Sequence, residues 1–439
     1  MRTGNWTTRI AAIGLLIGLG LFIFSFRTVL NGPHEHRQAD SVFSGYFYCI
    51  EPGSQFLFPH VGPRGETSGV AINEFPVYAY ILGKICQIKG SWDETTPRVV
   101  SLLFALLAGL LFWKTLLKKF NLDPKQMGNG WVEFLMIFIL LPVNWTFFSI
   151  PMPESTALFF YAVSAYLWTV YPKQKLVFTI SAAFFLLGFL IRPFYILFLF
   201  FFIPSWIASV IILGLCIFLF WFWYRYWDSH VTTVPGYFGI HMETLSEILA
   251  SVPRALAILP NRILGQTALV GLYSLYLIRK KYSWVVIFYL ASIAMMYILK
   301  PTHVEAHAYY LLNAGLFASF GIFLSLHLMS PKQRNWFLVL FLVYSFSVTQ
   351  HNFHSNGNWE RTHKALEAHG PLPENAVVAT YLGMSPQWLY FLKRTGYIFE
   401  PSQFNGTCPS KATQFLMTST EPSAESPPPL VLKDCPSLQ

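Results

Sequence analysis

Charge is what this sequence has least of. Only 12% of its 439 residues are Asp, Glu, Lys or Arg, about half of the roughly 25% usual in soluble domains. A soluble chain of this length could not cover its surface with so few charges while hiding 42 Phe and 14 Trp, which excludes an ordinary soluble enzyme. With 54% hydrophobic residues it is not a disordered chain either. Cysteine is also scarce. The five present form no Cys-x-x-Cys and no zinc-ligand spacing, so a disulfide-stapled secreted module and a zinc fold are both excluded. No internal repeat is visible. What the sequence has in quantity is apolar runs near 20 residues, the length a helix needs to cross about 30 Å of hydrocarbon. The chain reads as a polytopic membrane protein. Its net charge of +9 then reports orientation rather than affinity for nucleic acid, and no nucleic-acid partner is expected.

Arg2 and Arg9 precede an apolar run from Ile10 to Phe26 that continues to Val29-Leu30 with no small-residue cleavage site, so the first span is expected to be retained. Further spans are expected near 99–117, 130–148, 155–171, 265–278, 284–299, 308–328 and 335–349. The stretch 177–223 holds one charge, Arg192, and would make roughly 70 Å of continuous helix, enough for two ordinary passages or three short ones. Charge asymmetry selects three. With three, thirteen Lys and Arg face inward against only Asp123 and Glu133, while seventeen bases meet nineteen acids outside. With two, the cluster Arg279-Lys280-Lys281 would face outward, against the positive-inside tendency. The expectation is therefore an α-helical membrane bundle of about eleven spans, with the N-terminus inside and the C-terminus outside.

The outer segments carry the polar residues. The first, 31–97, includes Phe75–Cys86, apolar but too short to span. It reads as an interfacial helix headed by Glu74 and closed by Lys84 and Lys89, as the helix dipole favours. The second, 227–264, contains an amphipathic pattern over Met242–Leu259. Residues 1–350 form the membrane domain, and 351–439 a small soluble outer domain with a Pro/Ser-rich tail. In that domain Glu360–Ala368 reads as helix, stopped at Gly370-Pro371. Ala376–Tyr381 and Gln414–Met417 read as strands, with a helix opened by Ser385-Pro386 between them, giving a small α/β fold. Cys86 and Cys216 fall in apolar helices and Cys49 in the first loop. Cys408 and Cys435 share the outer domain, which leaves one disulfide there open in an oxidising compartment.

A carboxylate at a membrane is costly without a purpose or a partner, so the acids point to the candidate site. The densest polar cluster follows the first span: His34-Glu35-His36-Arg37-Gln38-Ala39-Asp40. On a helix, Glu35 and Arg37 point apart while His36 and Asp40 share a face. One reading is a solvated loop with a local ion pair. The other is a carboxylate base beside a cation that binds phosphate. Glu74 heads the interfacial helix. Glu154, in Pro153-Glu154-Ser155, sits where one span turns into the next, either as a plain helix-start carboxylate or in a functional role. Arg192, before Pro193, either snorkels or meets an anionic partner. His307-Ala308-Tyr309-Tyr310 opens a late span, close after Lys300. Tyrosines at an interface are ordinary anchors, but a histidine and a lysine beside them suit a headgroup.

These motifs, in this order, resemble the GT-C class of membrane glycosyltransferases, the superfamily of protein O-mannosyltransferases and bacterial aminoarabinose lipid A transferases. The likeness is to bacterial members with a His-x-Trp-Arg-Gln-Ala-Asp signature after the first helix, here with His36 at the Trp position. The start Glu74-Phe75-Pro76-Val77-Tyr78, the turn Pro153-Glu154-Ser155, the basic-Pro pair Arg192-Pro193 and His307-Ala308-Tyr309-Tyr310 complete the pattern. The run from Ser385 to Tyr397 resembles the tail of such proteins. Better-known relatives place an Asp-Glu pair just before the Arg, and this chain has His34-Glu35 there. That leaves two candidates for the base, Asp40 first and Glu35 second.

The resemblance implies transfer of a sugar from a polyprenyl-phosphate donor to an acceptor hydroxyl on the outer face, with inversion, in a bacterial inner membrane. The acceptor, whether lipid, glycan or protein, stays open, and membrane lipid surrounds the chain. His34, Arg37, Glu74, Glu154, Arg192, Lys300, His307, Tyr309 and Tyr310 are the expected donor- and substrate-binding residues. Neither metal nor cofactor is expected. The competing classes are a transporter or flippase of lipid-linked sugars, and an O-antigen polymerase or ligase. A transporter typically shows repeated halves with charges at mid-membrane. A polymerase or ligase would use Arg pairs in long outer loops.

Overall fold

The computed structural model describes residues 4–25, 35–51, 53, 55–57, 75–123, 130–203, 205–230, 246, 250, 253, 269–299, 311–349, 357–373, 376–382, 387–398, 412–418 and 430–435. The chain forms two compact units. One comprises Met1–Phe26, Arg98–Phe220 and Ile240–Phe353, and the other Arg27–Pro97, Trp221–Gly239 and His354–Gln439.

The first unit is helical and apolar. Among the described residues, three helices are long and apolar enough to cross a membrane: α1 (Gly4–Ser25), α4 (Thr95–Lys119) and α10 (Trp206–His230). α5 (Gly130–Leu140) and α6 (Pro142–Phe148) make a fourth apolar element bent by 77°. The bend falls where Pro142 removes a backbone donor, and the buried Asn144 amide caps it by donating to the Phe138 carbonyl at 2.8 Å. The remaining helices are α7 (Glu154–Val170), α8 (Lys175–Ile191), α9 (Leu197–Phe202), α11 (Leu269–Ile278), α12 (Ser283–Leu299), α13 (Leu312–Leu326) and α14 (Pro331–Thr349). Phenylalanine fills the centre. Phe112, Phe198, Phe202, Phe317 and Phe320 meet at ring-centroid distances of 5.1–6.4 Å, within the range of favourable aromatic pairs.

Hydrogen bonds mark the two ends of this unit. At one end Arg98 donates to the Ser149 carbonyl at 3.1 Å and Ser101 to that of Met152 at 3.4 Å. At the other, the Lys119 ammonium lies 4.8 Å from the Phe201 ring centre, and Phe120 packs on Tyr282. Along α4, Arg98 and Lys119 are separated by roughly 30 Å of helix, the thickness of a hydrocarbon core. The Lys119 end also gathers the starts of other helices. Thr7 on α1 donates to Asn335 on α14 at 2.7 Å, Thr8 to Glu133 on α5 at 3.3 Å, and Arg334 pairs with Glu133. His327 feels the charges of both Arg334 and Lys281, which joins these clusters. Trp6, Trp206, Trp284 and Trp336, all exposed, stand at or near the starts of α1, α10, α12 and α14.

The segment 177–223 is broken near its middle. Two long helices, α8 and α10, flank a 3-10 turn at Pro193–Tyr195 and the six-residue α9. This short piece leads from Arg192, at the Glu154 end, back to Phe201 and Phe202 beside Lys119. α9 is only about 9 Å long, so the middle passage is no full-length span. Pro193 breaks the helix after Arg192, because a proline supplies no amide for the ladder.

The second unit pairs the segment after α1 with the C-terminal one. α2 (Glu35–Ile50) and α3 (Val77–Lys89) pack closely, and a disulfide joins Cys49 to Cys86 with 5.5 Å between their Cα atoms. A Cβ on Gly45 would stand 3.0 Å from that of Leu82 and 3.3 Å from the Ala79 carbonyl oxygen, so glycine allows the approach. The buried stripe of α3, Tyr78, Leu82, Gly83 and Cys86, has the 3–4 residue spacing of one helix face. α3 ends at Gly90, whose φ of 78° suits the left-handed cap. Next comes α15 (Gly357–His369). A four-stranded sheet in the order β2-β1-β3-β4 is built from β1 (Val377–Thr380), β2 (Thr395–Ile398), β3 (Gln414–Thr418) and β4 (Leu430–Asp434). β1 runs parallel to β2 and β3, and β4 is antiparallel to β3. The helix α16 (Gln387–Leu392) connects β1 to β2. The sequence reading missed β2, β4 and the Cys49–Cys86 bridge. Cys435 is disulfide-bonded, while Cys408 lies outside the described residues.

Closing a loop of 37 residues removes enough unfolded-chain entropy to be worth about 4 kcal/mol. The double variant Cys49→Ala/Cys86→Ala is therefore expected to unfold this unit at lower denaturant. Non-reducing peptide mapping checks that the bridge forms.

Candidate active site

The polar cluster after the first span is helical from Glu35 onward. Asp40 lies one turn beyond Arg37, and the two side chains pair across 3.8 Å, with exposures of 1% and 11%. Ser41 and Ser44 turn their hydroxyls back onto the helix, to the carbonyls of Arg37 at 3.3 Å and Asp40 at 2.9 Å. Gln38 is fully buried. The other side of α2 is apolar. Ala39, Val42, Phe43 and Phe47 recur at helical spacing and enter one core with Val378, Leu389, Tyr390 and Leu416. α2 is thus held from two sides, by α3 through the disulfide and by α16 through Phe43, so its polar residues occupy a fixed frame.

A second charged cluster belongs to the first unit. Glu154 opens α7 and Arg192 ends α8, and their side chains meet at 2.7 Å with exposures of 1% and 6%. Glu154 is thus both a first-turn carboxylate facing a helix dipole and half of a buried ion pair. Arg192 does not snorkel. Its backbone is fixed as well, since the buried Tyr161 hydroxyl donates to the Arg192 carbonyl at 2.9 Å. The Ser181 hydroxyl donates to the Ser164 carbonyl at 2.7 Å, tying α7 to α8. Two buried charges at such close range are held by strong mutual attraction, and removing one strands the other.

The structure therefore brings Arg37 to Asp40 and Glu154 to Arg192. Glu35 lies in the first turn of α2, and its side chain is not among those described. His34, Glu74, Lys300, His307, Tyr309 and Tyr310 lie outside the described residues. Among the described residues, no group of three or more His, Cys, Asp and Glu side chains gathers. Arg98 was missed from the sequence. It is 1% exposed and reaches the Ser149 carbonyl, just before the turn that leads to Glu154. The available signal was its place in Thr96-Pro97-Arg98-Val99, a lone cation heading an apolar run, like Arg192 at the end of one.

No protein-family model and no curated protein matches the sequence. Solved structures do. ArnT from Cupriavidus metallidurans, crystallised with undecaprenyl phosphate, superposes with a TM-score of 0.57 at 11% identity, over 92% of this chain and 92% of that one. Its apo form gives 0.53 at 10% identity, over 88% and 84%. The chain shares the fold of ArnT. An oligosaccharyltransferase from Archaeoglobus fulgidus, tethered to an acceptor peptide, gives a TM-score of 0.50 at 13% identity, over 94% of this chain and 69% of that one. In this fold the first unit supplies the apolar helices, and the second carries the polar helix α2 beside a small sheet. The sequence motifs therefore pointed to the right fold, at identities too low for sequence comparison to find it.

Proposed function

We propose that this protein is an integral membrane glycosyltransferase. It moves a sugar from a polyprenyl-phosphate donor to an acceptor hydroxyl on the outer face of a bacterial inner membrane, with inversion. The observation that carries the reading is the buried Arg37–Asp40 pair on the helix directly after the first span, in a GT-C fold. The ArnT relative that was crystallised with undecaprenyl phosphate supports a carrier-phosphate ligand.

In the proposed reaction Asp40, or Glu35 in its place, takes the proton of the acceptor hydroxyl as its oxygen attacks the anomeric carbon. The bond from that carbon to the phosphate oxygen breaks, and negative charge grows on the leaving lipid phosphate. Fixed cations must meet that charge. Arg37, Arg192 and Lys300 are assigned this role, and Arg98 joins them as a buried cation. Arginine suits the task because its planar fork can hold two phosphate oxygens. Glu74, Glu154, His34, His307, Tyr309 and Tyr310 are assigned to the sugar and the headgroup.

The proposed orientation places the Lys119 end inside and the Glu154 end outside, with about eleven passages counting the short one at α9. Three observations support it. The Lys119 end collects Arg334 and Lys281, as the positive-inside tendency expects of a cytosolic end. Glu154 and Arg192 share the opposite end. The Cys49–Cys86 disulfide in the second unit requires an oxidising compartment. The acceptor is identified by comparing lipid and glycan profiles of cells with and without the gene by mass spectrometry. The proposal expects loss of one sugar decoration and a build-up of the polyprenyl-phosphate sugar. Unchanged profiles under conditions in which the gene is expressed would count against it.

A further inference from the structure

The C-terminal segment contacts the helix that carries Asp40, and one polar cluster fixes that contact. Tyr390 on α16 is fully buried, and its ring stands edge-on to Phe43 of α2 at 6.2 Å. Phe43 lies three residues beyond Asp40. The far end of the Tyr390 ring is tied in place. Its hydroxyl donates to the Glu94 carboxylate, accepts from the Trp92 indole at 3.3 Å, and Lys393 pairs with the same carboxylate. The Lys393 ammonium also lies 3.4 Å from the centre of the Tyr390 ring. Lys393 adopts a φ of 51° directly after α16, the left-handed turn in which helices commonly end. All of these residues belong to the second unit.

This arrangement exceeds what a loop anchor needs. A carboxylate kept partly out of water is paired with a lysine and bonded by a tyrosine, and the tyrosine ring then faces the apolar side of α2. A shift of the ring would carry Phe43 with it, and a turn of α2 would move Asp40. We infer that Tyr390, held by Glu94 and Lys393, is a positioning residue for the transfer reaction, acting through Phe43 to set helix α2. The C-terminal segment is then part of the catalytic unit rather than an appended outer domain. The inference rests on the proposed glycosyl transfer for its kinetic consequence, but not for its structural one.

The test uses the full-length protein in detergent and has two arms. In the first, hydrogen exchange is followed at the amides of residues 39–47 in wild type, Tyr390→Phe and Glu94→Gln. Both variants are expected to exchange about tenfold faster there, with α1 unchanged, because the tether rather than the fold is lost. In the second, kcat per folded enzyme is expected to fall about tenfold in each variant, with the donor KM within about a factor of two. Misplacement of about 1 Å can cost up to about 10²-fold. The double variant is expected to lose little more than the slower single one, since Tyr390→Phe removes the hydroxyl and Glu94→Gln the charge of one Tyr390–Glu94–Lys393 cluster. A merely structural role would lower the unfolding temperature and leave kcat and the exchange of α2 as they are, and that result would overturn the inference. Wild type without transfer defeats the proposed function, while unchanged exchange of α2 defeats the positioning role alone.

Discussion

Asp40→Asn is expected to lower sugar transfer by about 10³-fold, in the middle of the range for loss of a general base, while donor binding and folding persist. The substitution keeps the size of the side chain and its place on α2, and Phe43, Phe47 and the Cys49–Cys86 bridge are untouched. The amide cannot accept the proton of the attacking hydroxyl. Arg37, freed from its carboxylate partner at 3.8 Å, keeps its charge for the donor phosphate, so donor affinity is expected to hold or to rise. Glu35→Gln gives the contrast. With Asp40 as the base, Glu35→Gln retains most of the rate. A nearly full rate in Asp40→Asn together with a collapse in Glu35→Gln would transfer the role to Glu35. Single-turnover rates with a polyprenyl-phosphate sugar, alongside donor binding measured separately, decide between them.

The second large effect concerns stability. Arg192→Met is expected to destabilise the first unit by about 3–5 kcal/mol, because it leaves the Glu154 carboxylate buried without its cation. Glu154→Gln costs a similar amount by stranding Arg192. The double variant Glu154→Leu/Arg192→Met is expected to recover most of that loss, since two apolar side chains of similar volume replace a pair whose desolvation was costly. Activity should not recover with it. If Arg192 meets the leaving phosphate, a stable double variant remains slow, which separates the structural role of the pair from its catalytic one. Thermal unfolding in detergent reads the first effect and kcat the second. Stability and activity returning together would leave Arg192 a structural residue only.

Sequence and structure agree where the signal was local. The cluster from Glu35 to Asp40 is open between a solvated loop and a helix, and α2, which runs over Glu35–Ile50, makes it helical. Ala376–Tyr381 and Gln414–Met417 read as strands from their apolar runs, and the structure has strands at Val377–Thr380 and Gln414–Thr418. β2, with Thr395-Gly396 at its start, has a glycine where a strand is usually recognised by its side chains, and β4 follows a Pro-rich stretch that reads as tail. Their strand character comes from pairing with β1 and β3, which no local pattern shows.

The larger misses were non-local. Phe75–Cys86 reads as a helix, and α3 is one over Val77–Lys89, but the partner of its apolar stripe was not visible. The partner is α2, and Cys86 faces Cys49 across 37 residues of sequence. The apolar face of α2 is likewise matched by α16, far along the chain, so the kinship of the segment after α1 with the C-terminal one was hidden. Arg98 and Arg192 looked alike in sequence, as single cations beside apolar runs. Only the fold shows that one reaches a carbonyl and the other a carboxylate.

The most direct measurement of the central claim is turnover of a polyprenyl-phosphate sugar by the purified wild-type protein in detergent, where no membrane separates two sides. The account predicts release of polyprenyl phosphate with transfer of the sugar to an acceptor hydroxyl, and loss of that release in Asp40→Asn. A protein that binds the donor yet neither transfers nor hydrolyses it, with wild type and Asp40→Asn alike, would contradict the account and indicate a carrier of lipid-linked sugars instead.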